Sequence, residues 1–115
     1  MRSSRLYLSD AYQCCLKIER YTRGLDYEDF IEDEKTYDAV MRALSILGEA
    51  IKKVPQSIKN KAKEIDWRKI SGYRDVIVHG YFGLDDNITW DIIQNKIPHL
   101  EKALEKLINE LADHD

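Results

Sequence analysis

The chain has 115 residues, of which 43% are hydrophobic and 34% charged, with a formal net charge of −3 at pH 7. That length suits one domain with its own core, residues 1–115, and is too short for two. No window approaches a membrane span, and the N-terminus lacks the apolar stretch of a signal peptide. The net negative charge argues against a general nucleic-acid binder. We also expect a cytoplasmic protein, since the chain shows no signal peptide.

The cysteines and histidines do not match a metal site. Cys14 and Cys15 are adjacent, so a disulfide between them would be strained and would close no useful loop. The three histidines are scattered at positions 79, 99 and 114 and match no ligand spacing. We therefore predict no structural metal and no cofactor.

Three long apolar stripes have helical spacing. The first stripe predicts a helix ending at Gly24, the second a helix stopping before Pro55, and the third a helix beginning near Ile97. Their members are Leu8, Ala11, Cys15, Ile18 and Thr22; then Tyr37, Val40, Leu44, Leu47, Ile51 and Val54; then Ile97, Leu100, Leu104, Leu107 and Leu111.

Shorter helical pieces lie between and before these stripes. We expect one turn of helix at Tyr27–Ile31 that carries Phe30 inward, and a weak helix at Ser57–Glu64. A turn at Trp67–Ile70 should be followed by a break at Ser71-Gly72 and by a short helix at Tyr73–Val78 that ends at Gly80. Another short helix should begin at about Ile88, capped by Asn87 or Thr89. The predicted fold is all-α, an antiparallel helical bundle of three long helices plus short ones.

Several large apolar residues fall off the three stripes: Tyr7, Tyr12, Tyr21, Met41, Ile46 and Ile108. A small bundle commonly covers such positions with a second copy of itself. We therefore predict a homodimer.

Charge is unevenly placed along the chain. Residues 26–38 hold seven acids and one base, whereas residues 52–74 hold eight bases and two acids. The basic stretch leads into the residues discussed next and could guide a phosphate backbone towards them, although charge runs are often only solvated surface.

The most informative motif is Arg74-x4-His79-x-Tyr81. Its imidazole can take the proton of a ribose 2′-hydroxyl, and its guanidinium can hold the charge that builds on a phosphate. These are the groups needed to cleave RNA without a metal. The alternative without catalysis is that His79 only complements a helix C-terminus, while Arg74 pairs with Asp75 or with an acid from residues 26–38.

Helix geometry limits how the pair can converge. Five residues turn through about 500°, which leaves His79 about 140° from Arg74 on an ideal helix. The side chains can meet only if the helix unwinds at Gly80 or if a second protomer brings its own pair to the same cleft. Two copies would also supply both an acid and a base.

The chain resembles the HepT-like ribonuclease toxins of the HEPN superfamily from Leu8 to about Leu111. The resemblance is carried by Gly48-Glu49-Ala50, Asp66-Trp67, Arg74-x4-His79-x-Tyr81, Asn87-Ile88-Thr89-Trp90 and Ile97-Pro98.

This resemblance implies a HEPN-like homodimer with its cleft at the interface. Arg74 and His79 would form the ribonuclease pair, and Asp75 would orient the site. Tyr81 would be the tyrosine that a partner minimal nucleotidyltransferase antitoxin modifies with AMP.

Two functions remain open from the sequence. The first is the toxin of a type VII toxin–antitoxin pair, a metal-independent endoribonuclease acting on RNA and silenced by AMPylation of Tyr81. The second is a non-catalytic dimeric module that binds or inhibits the nucleotidyltransferase, with Arg74 and Tyr81 engaging nucleotide or partner.

Overall fold

The computed structural model describes residues 3–80 and 84–112, and within these ranges the fold is all-α, as predicted. Its helices are α1 (Ser4–Thr22), α2 (Tyr27–Glu32), α3 (Glu34–Lys53), α4 (Gln56–Lys59), α5 (Trp67–His79), α6 (Asp86–Asp91) and α7 (Ile97–Ala112). A 3₁₀ turn at Asn60–Ala62 follows α4, and a π turn at Ile92–Lys96 joins α6 to α7.

Local signals set the C-terminal ends of α1 and α3 as predicted, and a cap that was not predicted sets the start of α3. After α1 the chain turns at Gly24, whose φ of 80° lies in the left-handed region that favours glycine. α3 begins after Asp33, whose carboxylate accepts the Thr36 N–H, and it ends before Pro55. The predicted inward Phe30 of α2 is fully buried.

The core forms where α1 packs against α3 and α7, and where α3 packs against α5. All three predicted stripes contribute to it, with Leu8, Ile18, Leu47, Ile51, Leu100 and Leu104 among the fully buried side chains. Of the six apolar residues off the stripes, Met41 is buried, and Tyr7, Tyr12, Tyr21 and Ile108 are partly buried against the core. Ile46 remains 42% exposed. The need for a partner therefore rests on fewer residues than the sequence indicated.

The predicted break at Ser71-Gly72 is wrong, because α5 is one continuous helix from Trp67 to His79. Asp66 caps its start by accepting the Lys69 N–H, and Ile70 and Tyr73 are buried on either side of the supposed break. Gly72 is exposed, and a Cβ there would meet nothing within 4 Å. A solvent-facing glycine costs helix stability but does not stop a helix whose opposite face is buried.

The two predicted caps of the short helix are also wrong. Asp85 is the N-cap of α6, and its carboxylate accepts the Asn87 N–H. Thr89 is fully buried inside the helix. The predicted division before Ile97 appears as the π turn, in which the Ile97 N–H bonds to Ile92 O. Pro98 follows directly, and its missing N–H and its ring disfavour the ordinary α-helical turn before it.

The seam between α1 and α7 contains a carboxyl pair. Burial, together with the neighbouring carboxyl of Glu101, raises the pKa of Glu19 to about 7. Glu19 Oε1 is buried without a hydrogen-bond partner among the described residues. At neutral or lower pH a proton is retained on the Glu19–Glu101 pair, so that two negatively charged carboxylates do not face each other.

Candidate active site

Helices α1, α3 and α5 enclose a groove of about 350 Å³. α1 contributes its first turns, α3 its C-terminal half and α5 its C-terminal half, and the lining residues are Tyr7, Asp10, Ser45, Ile46, Glu49, Ala50, Lys53, Arg74 and Val78. Of the predicted site residues, Arg74 lies in this groove. The groove therefore brings the predicted phosphate-binding cation together with side chains from two distant helices.

Two carboxylates hold the Arg74 guanidinium. Arg74 Nη2 lies 3.3 Å from Glu49 Oε2, and Arg74 Nη1 lies 3.4 Å from Asp75 Oδ1. The Arg74 side chain is 29% exposed, whereas those of Glu49 and Asp75 are 47% and 61% exposed. Exposed ion pairs of this kind contribute at most about 1 kcal/mol, so a phosphate can displace either carboxylate. The contact with Asp75 is compatible with its predicted orienting role.

Gly48 allows α5 to lie close enough for these contacts. A Cβ at position 48 would lie 2.5 Å from Arg74 Cβ and 3.3 Å from Arg74 Cγ. The first distance is shorter than two carbon atoms tolerate, and Arg74 Cβ is fixed to the helix backbone. Any side chain at this position would push α5 away from α3 and move Arg74 relative to Glu49.

We expect Gly48→Ala to destabilise the protein by about 1–3 kcal/mol through this clash. Gly72→Ala is the matched control, because the added methyl group meets nothing within 4 Å there. Since alanine stabilises a helix by about 1 kcal/mol relative to glycine, this variant should be slightly more stable than the wild type. Thermal unfolding of both variants measures the difference. If the two substitutions shift the midpoint equally, the close approach of α3 and α5 at Gly48 does not matter.

His79 lies outside the lining of the Arg74 groove. It is the last residue of α5 and is exposed. The helix does not unwind before it, since the Gly80 N–H still bonds to Val76 O at 2.8 Å. With α5 continuous, the expected separation of about 140° around the helix axis remains. The fold of one chain therefore does not bring His79 into the groove that holds Arg74.

Two hydroxyl contacts hold the C-terminal half of α5 and the start of α6 in place. The buried Tyr73 hydroxyl is hydrogen-bonded to the Thr89 hydroxyl. The Tyr37 hydroxyl of α3 donates to Asp86 Oδ1 at 2.6 Å. Burial, followed by this hydrogen bond, raises the pKa of Tyr37, so the phenol stays protonated and donating. Both ends of the segment that contains Tyr81 are thus fixed to the core.

Tyr81 itself lies outside the described residues, so its predicted role stays a prediction. Conversely, the sequence motif did not indicate that Tyr7, Asp10, Glu49 and Lys53 line the groove with Arg74. Glu49 belongs to the Gly48-Glu49-Ala50 run, but its contact with Arg74 joins residues 25 positions apart. No local pattern reports such a contact.

In residues 3–80 and 84–112, no three His, Cys, Asp or Glu side chains are grouped as ligands for a metal ion. None of the helices in the same ranges has the length and apolar character needed to cross a bilayer.

The family model described as "Ribonuclease HepT-like" matches residues 11–107. A protein of Thermococcus cleftensis named "Probable ribonuclease HepT" is 42% identical over 106 residues, which cover 92% of this chain and 96% of its own length. "Putative RNase MJ0127" of Methanocaldococcus jannaschii is 34% identical over 111 residues, covering 96% of this chain and 92% of its own.

"Putative RNase TTE0752" of Caldanaerobacter subterraneus subsp. tengcongensis is 34% identical over 110 residues, covering 96% of this chain and 98% of its own. No solved structure matches the chain. The family match spans most of the chain and contains all of α3 and α5, which carry Glu49 and Arg74. The chain therefore belongs to the ribonuclease HepT-like family.

Proposed function

We propose that this protein is a metal-independent endoribonuclease in which Arg74 and His79 act on the same phosphodiester of an RNA in the cytoplasm. The observation that carries the proposal is Arg74, a partly exposed guanidinium in a groove of about 350 Å³, where it is held by weak ion pairs. RNA cleavage by the purified protein in excess chelator, with 2′,3′-cyclic phosphate ends on the products, tests it directly.

In the proposed reaction the ribose 2′-oxygen attacks the adjacent phosphorus, and the bond from phosphorus to the 5′-oxygen of the next nucleotide breaks. His79 accepts the proton of the 2′-hydroxyl. Arg74 leaves its carboxylate partners and binds the phosphate oxygens, where it stabilises the additional negative charge of the transition state. The departing 5′-oxygen takes a proton from solvent, and the products are a 2′,3′-cyclic phosphate and a 5′-hydroxyl.

The proposed active form is a homodimer, because one chain does not place His79 beside its own Arg74. Three large apolar side chains are exposed on the helices that form the groove: Leu6 on α1 at 47%, Ile46 on α3 at 42% and Val76 on α5 at 38%. Ile46 also lines the groove itself. An apolar rim beside the groove suits a second copy, which would bring its own His79 to Arg74.

We further propose that the protein is the toxin of a type VII toxin–antitoxin pair. A cognate minimal nucleotidyltransferase would transfer AMP from ATP to the phenol oxygen of Tyr81, releasing pyrophosphate. Tyr81 follows His79 by two residues, so an attached AMP would bring a phosphodiester charge near the cleft. That charge would compete with the RNA phosphate for Arg74.

Tyr81→Phe is expected to keep the fold and much of the cleavage activity but to escape silencing by the nucleotidyltransferase and ATP, because it lacks the acceptor oxygen. Intact-mass measurement should show the AMP increment on the wild type and not on Tyr81→Phe. Tyr7→Phe is the control, since Tyr7 lines the Arg74 groove and offers another phenol. An equal increment on Tyr81→Phe would mean that another tyrosine is modified.

A further inference from the structure

A second groove, here called the basic groove, lies between α5 and α7 and has a volume of about 540 Å³. Three cationic side chains line one wall of the groove: Lys96, at the end of the π turn, and then Lys102 and Lys106 on α7. The row extends about 15 Å along the helix axis at 1.5 Å per residue. No residue lines both this groove and the one at Arg74.

The cationic surface continues beyond α7. An adjoining depression of about 400 Å³ shares Ile65 and Asp66 with the basic groove and adds Lys59, Lys63 and Arg68. Together the two are lined by six Lys or Arg side chains against two acids, Glu64 and Asp66. Basic side chains thus outnumber acidic ones on this surface, although the whole chain has a net charge of −3. The contrast indicates a ligand with repeated negative charge.

None of these cations forms an ion pair within the described ranges, although Lys102 and Lys106 also line a neighbouring depression with Glu105 and Glu110. None of the six lies within 4.0 Å of a carboxylate oxygen in residues 3–80 and 84–112. Asp66 is already engaged, because its carboxylate accepts the Lys69 N–H at the start of α5. The floor of the groove is apolar, formed by the buried residues Ile65, Ile70 and Ala103. A ligand with an anionic backbone and less polar parts fits this combination.

Helix α5 connects the basic groove to the Arg74 groove. Ile70 lines the former and Arg74 the latter, one helical turn apart, which corresponds to a rise of about 6 Å. The basic groove and the proposed phosphate-binding cation are therefore supplied by neighbouring turns of one helix. An acidic protein partner would match the charge equally, but this closeness to Arg74 favours RNA as the occupant.

We propose that the basic groove binds backbone phosphates of the RNA on one side of the scissile bond, so that the protein prefers extended RNA over short fragments. This inference rests on the proposed ribonuclease activity. Its energetic basis is the release of counterions when lysines neutralise phosphates, which makes binding salt-dependent. Lys96, Lys102 and Lys106 would then determine KM for long substrates and leave the chemical step at Arg74 unaffected.

The test compares Lys96→Gln/Lys102→Gln/Lys106→Gln with a control triple variant, Lys17→Gln/Arg23→Gln/Lys35→Gln. Both change the net charge from −3 to −6, and the control residues are exposed and lie outside both grooves. For a 20-nucleotide RNA we expect the basic-groove variant to raise KM about tenfold or more with kcat unchanged. The slope of log affinity against log salt should fall by about 2, from three single-strand contacts.

A dinucleotide substrate separates this inference from the proposed function. A dinucleotide occupies only the scissile site and is too short to reach the basic groove. The wild type and the basic-groove variant should therefore cleave it equally. If the two triple variants show the same KM and salt slope with the 20-nucleotide RNA, the basic groove is not an RNA site. If the wild type cleaves neither substrate, the proposed function fails, while anisotropy binding of the intact 20-nucleotide RNA still decides whether the groove binds RNA.

Discussion

His79→Ala is expected to lower kcat for RNA cleavage by about 10²–10⁴-fold, since it removes the proposed general base. The loss should appear at saturating RNA and in excess chelator. Stability should change little, because the His79 side chain is exposed at the end of α5. Single-turnover cleavage of a defined RNA, with unfolding curves for both proteins, measures both effects.

His99→Ala is the control for this substitution, because His99 is also exposed but lies on α7 in the basic groove. It should retain kcat. Cleavage that requires added magnesium and survives His79→Ala would contradict the proposed mechanism. A wild type that folds, dimerises and binds the nucleotidyltransferase but does not cleave RNA would instead favour the non-catalytic module.

Mixing Arg74→Ala protomers with His79→Ala protomers is expected to restore activity at least tenfold above either parent. Each parent dimer lacks one member of the pair entirely and should be reduced by about 10²-fold or more. After exchange about half of the dimers are mixed, and these contain one intact Arg74 and one intact His79 on different chains. Cleavage is measured after incubation long enough for subunits to exchange.

A mixture that stays at the level of its parents would show that Arg74 and His79 act within one chain. A linked dimer carrying one substitution in each half controls for slow exchange. Light scattering on the same samples gives the oligomeric state, and an active monomer would contradict the composite site directly.

Much of the architecture could be predicted from the sequence because its signals are local. Gly24 and Pro55 mark the ends of α1 and α3, and the apolar stripes identify the buried faces. The prediction failed at Gly72, where a glycine in an exposed helical position was interpreted as a break. Whether such a residue ends a helix depends on the burial of Ile70 and Tyr73, which only the tertiary structure shows.

The candidate site was predictable only in part for a related reason. The motif identified Arg74 from its spacing to His79, and the structure places Arg74 in a groove. The carboxylate of Glu49 and the groove wall at Tyr7 and Asp10 come from helices 25 or more positions away in sequence. Periodicity assigns a face to each helix but does not say which faces meet, so these contacts could not be predicted.

The continuity of α5 through His79 has a consequence for gene dosage. If the catalytic pair is completed only between two chains, a monomer is inert. Below the dissociation constant of the dimer, the number of complete sites then rises with the square of the protein concentration. A cell could thus tolerate a low background of this protein, whereas a several-fold surge would produce a disproportionate burst of RNA cleavage.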